Sequence, residues 1–323
     1  IEVTYQNWKE LQSYSVSFQE CSVFPSSIIE SIDASIIFSG KIPSLDVGGF
    51  TLQKSIDLEG DFKIGLSNDS LIFNYLGQFG SGDIDLDGRI YFHDKKEDWD
   101  IKFNLLNQDI SHILSAIPPE FKADVLNTLK GDISADIKII GEKIKDNFPP
   151  LKVYFDFSNG FIDIKNNTLK GIFLKGSYFQ PNISSINGAM VIVDKYSLKC
   201  DGIVINGKGK VSDFKNPLIS AKIKSNFNLS NLHKISSEEE FKNLSGDVNL
   251  DLDFSGKIKE IFITGNKLEI NNFRSNGFIK FSDVIAQPSD FNYPMKIDSG
   301  LLNVSNQDLV FDSFKGKILS SSF

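Results

Sequence analysis

Apolar and polar residues alternate one by one along much of the chain. In VYFDF, Val153, Phe155 and Phe157 fall on one side, and Tyr154 and Asp156 on the other. In GDVNLDLDF, Val248, Leu250, Leu252 and Phe254 oppose Asp247, Asn249, Asp251 and Asp253. DIKFNLL, SADIKII, GIVING and FIKFSD read the same way, which sets Ile133, Ile137 and Ile139, Ile162 and Ile164, and Ile203 and Ile205 on apolar sides. A period of two is the mark of a strand with one packed face and one wet face. SNG (158–160), KNNT (165–168), NG (206–207), SNG (275–277) and SNQD (305–308) punctuate the pattern and read as turns. The chain is therefore expected to be all-β, with many antiparallel strands.

Two stretches change the period. DISHILSAIPPEFKADVLNTLKG places Ile113, Leu114, Ile117, Phe121, Val125 and Leu129 at helical spacing before Gly131. In SNLHKISSEEEFKNLSG, Ser237 stands three before Glu240, a capping box, and Gly246 follows. Helices are expected over 119–130 and 237–245, stopped by the two glycines, with strands over 131–140 and 246–255. GDISADIKIIG and GDVNLDLDFSG lie 115 residues apart (246 − 131) and form a degenerate internal repeat.

A third Gly-Asp step, GDIDLDGRIYFHD (82–94), spaces Asp83, Asp85 and Asp87 like a calcium loop, with Gly88 at position six and Asp94 at position twelve. Ile84 and Leu86 fill loop positions that carry polar or small residues, and no helical pattern flanks the stretch. A strand with Ile84 and Leu86 inward and aspartates outward accounts for every residue, and no metal is expected.

The 323 residues carry a formal charge of −8, and Arg89 and Arg274 are the only arginines. No basic stripe interleaved with aromatics is present, which argues against nucleic acid. The 28 phenylalanines fit either an A- and T-rich codon bias with an ordinary sheet core or an apolar surface larger than one compact core requires. His93, His112 and His233 are scattered, and no nucleophile elbow, Walker loop or dinucleotide fingerprint occurs. GKGK (207–210) reads as a turn. No enzyme activity and no cofactor are expected. Cys200 shares alternation with Tyr196 and Leu198, which favours a buried thiol over a disulfide with Cys21. No window is long and apolar enough for a membrane span. The chain begins at Ile1 rather than Met and is expected to be part of a longer protein.

Residues 201–256 carry a resemblance. DGIVINGKGKVSDFKNPLISAKIKSNFNLSNLHKI followed by LSGDVNLDLDFSG resembles the periplasmic part of the AsmA-like family (the AsmA, TamB and YhdP type). FNLLNQDISHIL…LKGDISADIKIIG (103–141) is similar to the same step, and KLEINNFRSNGFIKF…VFDSFKGKI to the meander that follows. The likeness covers about 80–323, so 1–80 is set apart as a loosely matched β-rich segment and 81–323 as the repetitive region, with steps near 103–141 and 227–256.

The resemblance implies an elongated, strongly curved repetitive antiparallel sheet that forms an apolar groove. It further implies a protein held at the inner membrane by an anchor outside this chain, in the periplasm of a Gram-negative envelope, which moves phospholipid or another acyl lipid toward the outer membrane and its components. Groove candidates are Ile84, Leu86, Ile133, Ile137, Ile139, Val153, Phe155, Phe157, Ile162, Ile164, Ile203, Ile205, Val248, Leu250, Leu252 and Phe254. The same alternation also suits a structural or adhesive sandwich or solenoid with a dry core.

Overall fold

The computed structural model describes residues 2–7, 12–25, 31–42, 45–47, 50–52, 56–67, 69–115, 128–164, 167–234, 241–257, 261–264, 267–270, 274–306, 308–318 and 321–322. Before Gly60 it describes the backbone alone.

The chain is all-β. Its first strands are β1 (Glu2–Asn7), β2 (Gln12–Pro25), β3 (Ser31–Ile42), β4 (Leu45–Val47), β5 (Phe50–Leu52), β6 (Ile56–Ser67) and β7 (Ser70–Phe79). There follow β8 (Gly82–Phe92), β9 (Glu97–Asp109), β10 (Lys130–Lys143), β11 (Leu151–Ile164), β12 (Asn167–Gln180), β13 (Met190–Cys200) and β14 (Ile203–Ser212). The last are β15 (Leu218–Asn228), β16 (Phe241–Lys257), β17 (Ile261–Thr264), β18 (Lys267–Ile270), β19 (Arg274–Pro288), β20 (Met295–Ser305), β21 (Asp308–Ile318) and β22 (Ser321–Ser322). The long strands pair antiparallel in a sheet that is not closed into a barrel.

Two compact units divide the chain: Ile1–Ile162 with Ser177–Asn187, and Asp163–Gly176 with Gly188–Phe323. The first holds the meander β1–β2–β3–β6–β7–β8–β9–β10–β11. The second holds β13–β14–β15–β16–β19–β20–β21–β22. Each has one small hairpin set between long neighbours, β4–β5 in the first and β17–β18 in the second. The expected boundary near residue 80 falls inside the first unit, between β7 and β8.

The Gly-Asp repeat is a backbone kink rather than a helix stop. Gly131 has φ +139 and Gly246 φ +110, and the ladder register slips beside each of them. On the next strand a left-handed Asx stands opposite: Asn159 (φ 52) for Gly131, Asp283 (φ 51) for Gly246. A Cβ at Gly246 would lie 2.5 Å from the Val284 Cα. Gly82 repeats the theme, its Cβ site 2.2 Å from the Leu106 carbonyl oxygen beside Asn107 (φ 52). Each left-handed residue is an inserted one, and an insertion reverses which parity points to which side. That reversal explains why Phe157 and Ile162, of opposite parity, are both buried around Asn159.

Among the described residues, helical turns of the repeat stand ahead of the spans the pattern predicts. Ile110–Ser115 forms α1, with Ile110 and Leu114 buried one turn apart, and Leu229–Lys234 forms a 3-10 turn. The amide of Ser111 donates to Asp109 Oδ1 at 2.8 Å, and that of Ser230 to Asn228 Oδ1 at 3.1 Å. One Asx cap therefore starts each helical turn. Residues 119–127 and 237–240, Ser237 among them, lie outside the described residues. Phe241–Ser245, expected as helix, is the first part of β16, because Leu244 and Ser245 pair with Ala286 and Ile285. Asp109→Ala and Asn228→Ala should each cost about 1 kcal/mol, as lost N-caps do, read as a lower urea midpoint with an unchanged slope.

Several expected turns are also strand interior. NG (206–207) and GKGK (207–210) lie in β14, SNG (275–277) begins β19, and SNG (158–160) is the kink in β11. Gly207 is there because the Tyr196 ring covers it: a Cβ would sit 2.6 Å from the ring and 2.0 Å from the Lys222 carbonyl oxygen. Among the described residues no helix is long and apolar enough to cross a membrane.

Candidate functional site

In the first unit the ladders stack apolar side chains in rows across the strands. One row is Ile84, Leu105, Ala135 and Phe155; the next is Tyr75, Leu86, Phe103, Ile137 and Val153. Gly88, Ile101, Ile139 and Leu151 follow on one side, Gln108, Ile133 and Phe157 on the other. Rings lie over glycines of adjacent strands: a Cβ on Gly88 would meet the Phe73 ring at 2.1 Å, one on Gly60 the Tyr75 ring at 2.5 Å. The result is a continuous apolar lane on one face of the unit.

The second unit has its own lane. Ile223 and Leu252 share a row, Leu198, Ile205, Leu250, Ile279 and Leu302 share the next, and Phe227, Val248 and Phe281 the one beyond. Cys200 pairs with Ile203 at its margin, and Ala221 with Phe254 at the other. Ser225 is the polar member; its buried hydroxyl donates to the Val204 carbonyl at 2.7 Å. Cys200 is a free, buried thiol, and burial raises its pKa. The side chain of Cys21 lies outside the described residues.

The sequence-derived candidates thus fall into two groups. Ile84, Leu86, Ile133, Ile137, Ile139, Val153, Phe155, Phe157 and Ile162 belong to the first unit, and Ile203, Ile205, Val248, Leu250, Leu252 and Phe254 to the second. The side chain of Ile164 lies outside the described residues. Tyr75, Phe103, Leu105, Leu302 and Val304 belong to the lanes but were not among the candidates. Phe103 and Leu105 stand in the same DIKFNLL alternation, which could have supplied them.

Burial within the lanes is graded. Ile84 is 5% exposed, Val248 3% and Leu302 9%, whereas Leu86, Phe103, Ile137, Ile223, Leu250, Leu252 and Phe254 are half-buried. A dry core sealed on both faces would bury its inward residues almost completely. These are not.

The opposite face is charged. Lys222 Nζ lies 3.0 Å from Asp251 Oδ1 and 3.2 Å from Asp253 Oδ2, and Lys224 Nζ 2.7 Å from Asp251 Oδ2. Lys224 first, then Lys222, holds the Asp251 carboxyl below the usual carboxylate range. A depressed folded pKa stabilises above the ordinary value of about 3.9, and that contribution is lost as pH falls through the folded value. Asp251→Asn should therefore flatten the loss of urea resistance between neutral pH and pH about 3 relative to the parent protein.

In the first unit, Asp83, Asp85 and Asp87 lie on the side of β8 opposite to Ile84 and Leu86, a continuous strand rather than a loop, with Asn74 donating to Asp87 at 2.7 Å. Among the described residues no group of three His, Cys, Asp or Glu is placed to hold a metal. His93 lies 2.8 Å from Asp98, exposed; the side chains of His112 and His233 lie outside the described residues.

At one end of the first lane the apolar rows give way to a polar box. Trp99 Nε1 donates to Glu97 at 2.8 Å, Lys143 Nζ pairs with Glu97 at 2.8 Å, and Lys143 lies 5.2 Å from the centre of the Phe148 ring. Lys143 first, then Trp99, lowers the Glu97 pKa. In the second unit, which the alternation alone did not mark, a cavity of about 980 Å³ crosses β13–β16 and β19. Neither family models, nor curated proteins, nor solved structures give a match to this chain.

Proposed function

We propose that the chain is a non-enzymatic lipid-holding module of an AsmA-like envelope protein, in which the apolar lanes take up the acyl chains of a phospholipid or other acyl lipid. The observation that carries this reading is a contiguous apolar face on which half-buried members such as Leu86, Phe103, Ile137, Leu250 and Leu252 stand among buried ones, backed by a charged face on the same strands. An acyl chain needs continuous apolar surface and no reactive group. Covering a half-buried Leu or Phe removes more of its apolar area from water, at about 25 cal/mol per Å². Rows of Ile, Leu, Val and Phe at successive strands supply that surface, interrupted by two buried polar residues: Gln108 at one end of the first lane, and Ser225 in the second, whose hydroxyl is satisfied.

On this reading the full-length protein spans the periplasm from an inner-membrane anchor, and the module's partners are lipid and the components that deliver or receive it. The test is native mass spectrometry, with lipid extraction, of protein purified from a Gram-negative host. Co-purifying acyl lipid at near-stoichiometric amounts is the expected result. Protein free of lipid and unable to take up a fluorescent fatty acid would favour the dry structural sheet.

A further inference from the structure

The cavity of the second unit has a chemistry of its own. Register places Lys210, Ser220, Ser255 and Arg274 side by side on four successive strands, so their side chains share one face. The same register places Lys208, Lys222, Asp253 and Asn276 in a second row on that face, two residues along each strand. Both rows line the cavity. Alternation sets these side chains opposite to Ala221 and Phe254 of the apolar lane, which also border the cavity; the inference uses only the two polar rows and does not rest on the acyl-chain reading.

Its charges are unevenly matched. Lys222 is taken up by Asp251 and Asp253. Among the described residues Lys208, Lys210 and Arg274 make no ion pair, and the hydroxyls of Ser220 and Ser255 make no hydrogen bond to the protein. Asp194, at the cavity's β13 margin, is the other carboxylate in the lining. On a chain of net charge −8, three unneutralised cations around two free hydroxyls form a local anion-attracting patch. One of only two arginines supplies the planar fork that suits a tetrahedral oxyanion. Lys210 and Arg274 stand three strand spacings apart, about 14 Å between backbones, so two long side chains can converge above the serine pair.

The geometry points to a binding site for a phosphate group, with Lys210 and Arg274 clamping the anion from either side, Ser220 and Ser255 donating from below, and Lys208 adding charge. The phosphate can belong to a free phosphorylated molecule or to a lipid headgroup, and two arms of one experiment separate them. The whole chain is titrated with inorganic phosphate at low ionic strength by calorimetry. It is also floated with vesicles of phosphatidylglycerol and, in parallel, with vesicles of a phosphate-free glycolipid. The parent protein should bind phosphate or the phosphatidylglycerol vesicles in preference to the glycolipid vesicles. Arg274→Gln and Lys210→Gln should each weaken that binding by roughly tenfold, the effect of one charge-assisted contact. Lys95→Gln, an exposed lysine of the first unit, should change nothing, and urea midpoints of all three variants should match the parent.

Binding of phosphate alone assigns the site to a soluble phosphorylated ligand; binding of phosphatidylglycerol vesicles that depends on Arg274 assigns it to a headgroup. Absence of both, or binding indifferent to Arg274 and Lys210 in folded variants, overturns the site.

Discussion

Leu252→Asp should fold, remain soluble and β-rich, and lose lipid. Leu252 sits mid-lane between Ile223 on β15 and Gly277 on β19, and it is half-buried. Half-burial leaves part of the Leu252 side chain in contact with water. A carboxylate there reaches water, and the expected loss of stability is on the order of 1–2 kcal/mol. In a sealed sandwich the same carboxylate would be buried without a partner, at a cost of several kcal/mol that would prevent folding. The lane meanwhile acquires a charge in the middle of its apolar path. Lipid co-purifying with the variant should fall several-fold below the parent while the urea transition stays cooperative. An unfolded variant would speak for the sandwich; a folded variant with unchanged lipid would remove this face from the lipid path.

Gly246→Ala should strongly destabilise the second unit. Its φ of +110 lies where side chains are strained, and the added Cβ would press on backbone at the Val284 Cα and the Asp283 carbonyl oxygen, 2.5 and 2.7 Å away. Neither neighbour can swing aside like a side chain, since both contacts are with the backbone of β19. Combined strain and overpacking should cost about 3 kcal/mol or more. Gly209→Ala is the matched control: its Cβ would meet the Ser220 carbonyl oxygen at 3.3 Å and the Ala221 Cβ at 3.8 Å, with no left-handed φ. It should change the urea midpoint little. Equal losses from the two substitutions would mean that the kink at Gly246 is not held by the packing described for it.

Alternation alone made the strands and most of each lane legible, because a period of two assigns every residue of a regular strand to a face. Where it misled, the cause was local. Gly and Asn were read as turns, yet the same residues serve kinks and close ring contacts within long strands, as at Asn159–Gly160 and at Gly207 beneath Tyr196. Nothing in a short window separates those uses; the difference lies in what the neighbouring strand brings over the glycine. The capping box at Ser237 drew the helix too far along the chain, and the caps that the structure shows, Asp109 and Asn228, close strands in sequence and so read as their last polar positions. The Gly-Asp repeat was visible as letters, but its meaning, a kink faced by a left-handed Asx, depends on a residue 25 to 37 positions away: 107 from 82, 159 from 131, 283 from 246. The cation and serine rows of the cavity are invisible in sequence for the same reason, since Lys210 and Arg274 come into one row only through the register of four strands.

The central claim, that acyl chains lie along the apolar lanes, is tested most directly by photocrosslinking from defined positions. A benzophenone amino acid placed at Ile137 or Ile223, on the lanes, and at Lys138 or Lys224, the next residue on the charged face, differs in face while sharing strand and depth. Protein carrying each probe is irradiated in a host labelled with radioactive phosphate or acetate, and crosslinked lipid is read on a denaturing gel. The lane positions should acquire labelled lipid and the charged-face positions should not. Equal labelling from both faces, or none from Ile137 and Ile223 in folded protein, would contradict the account.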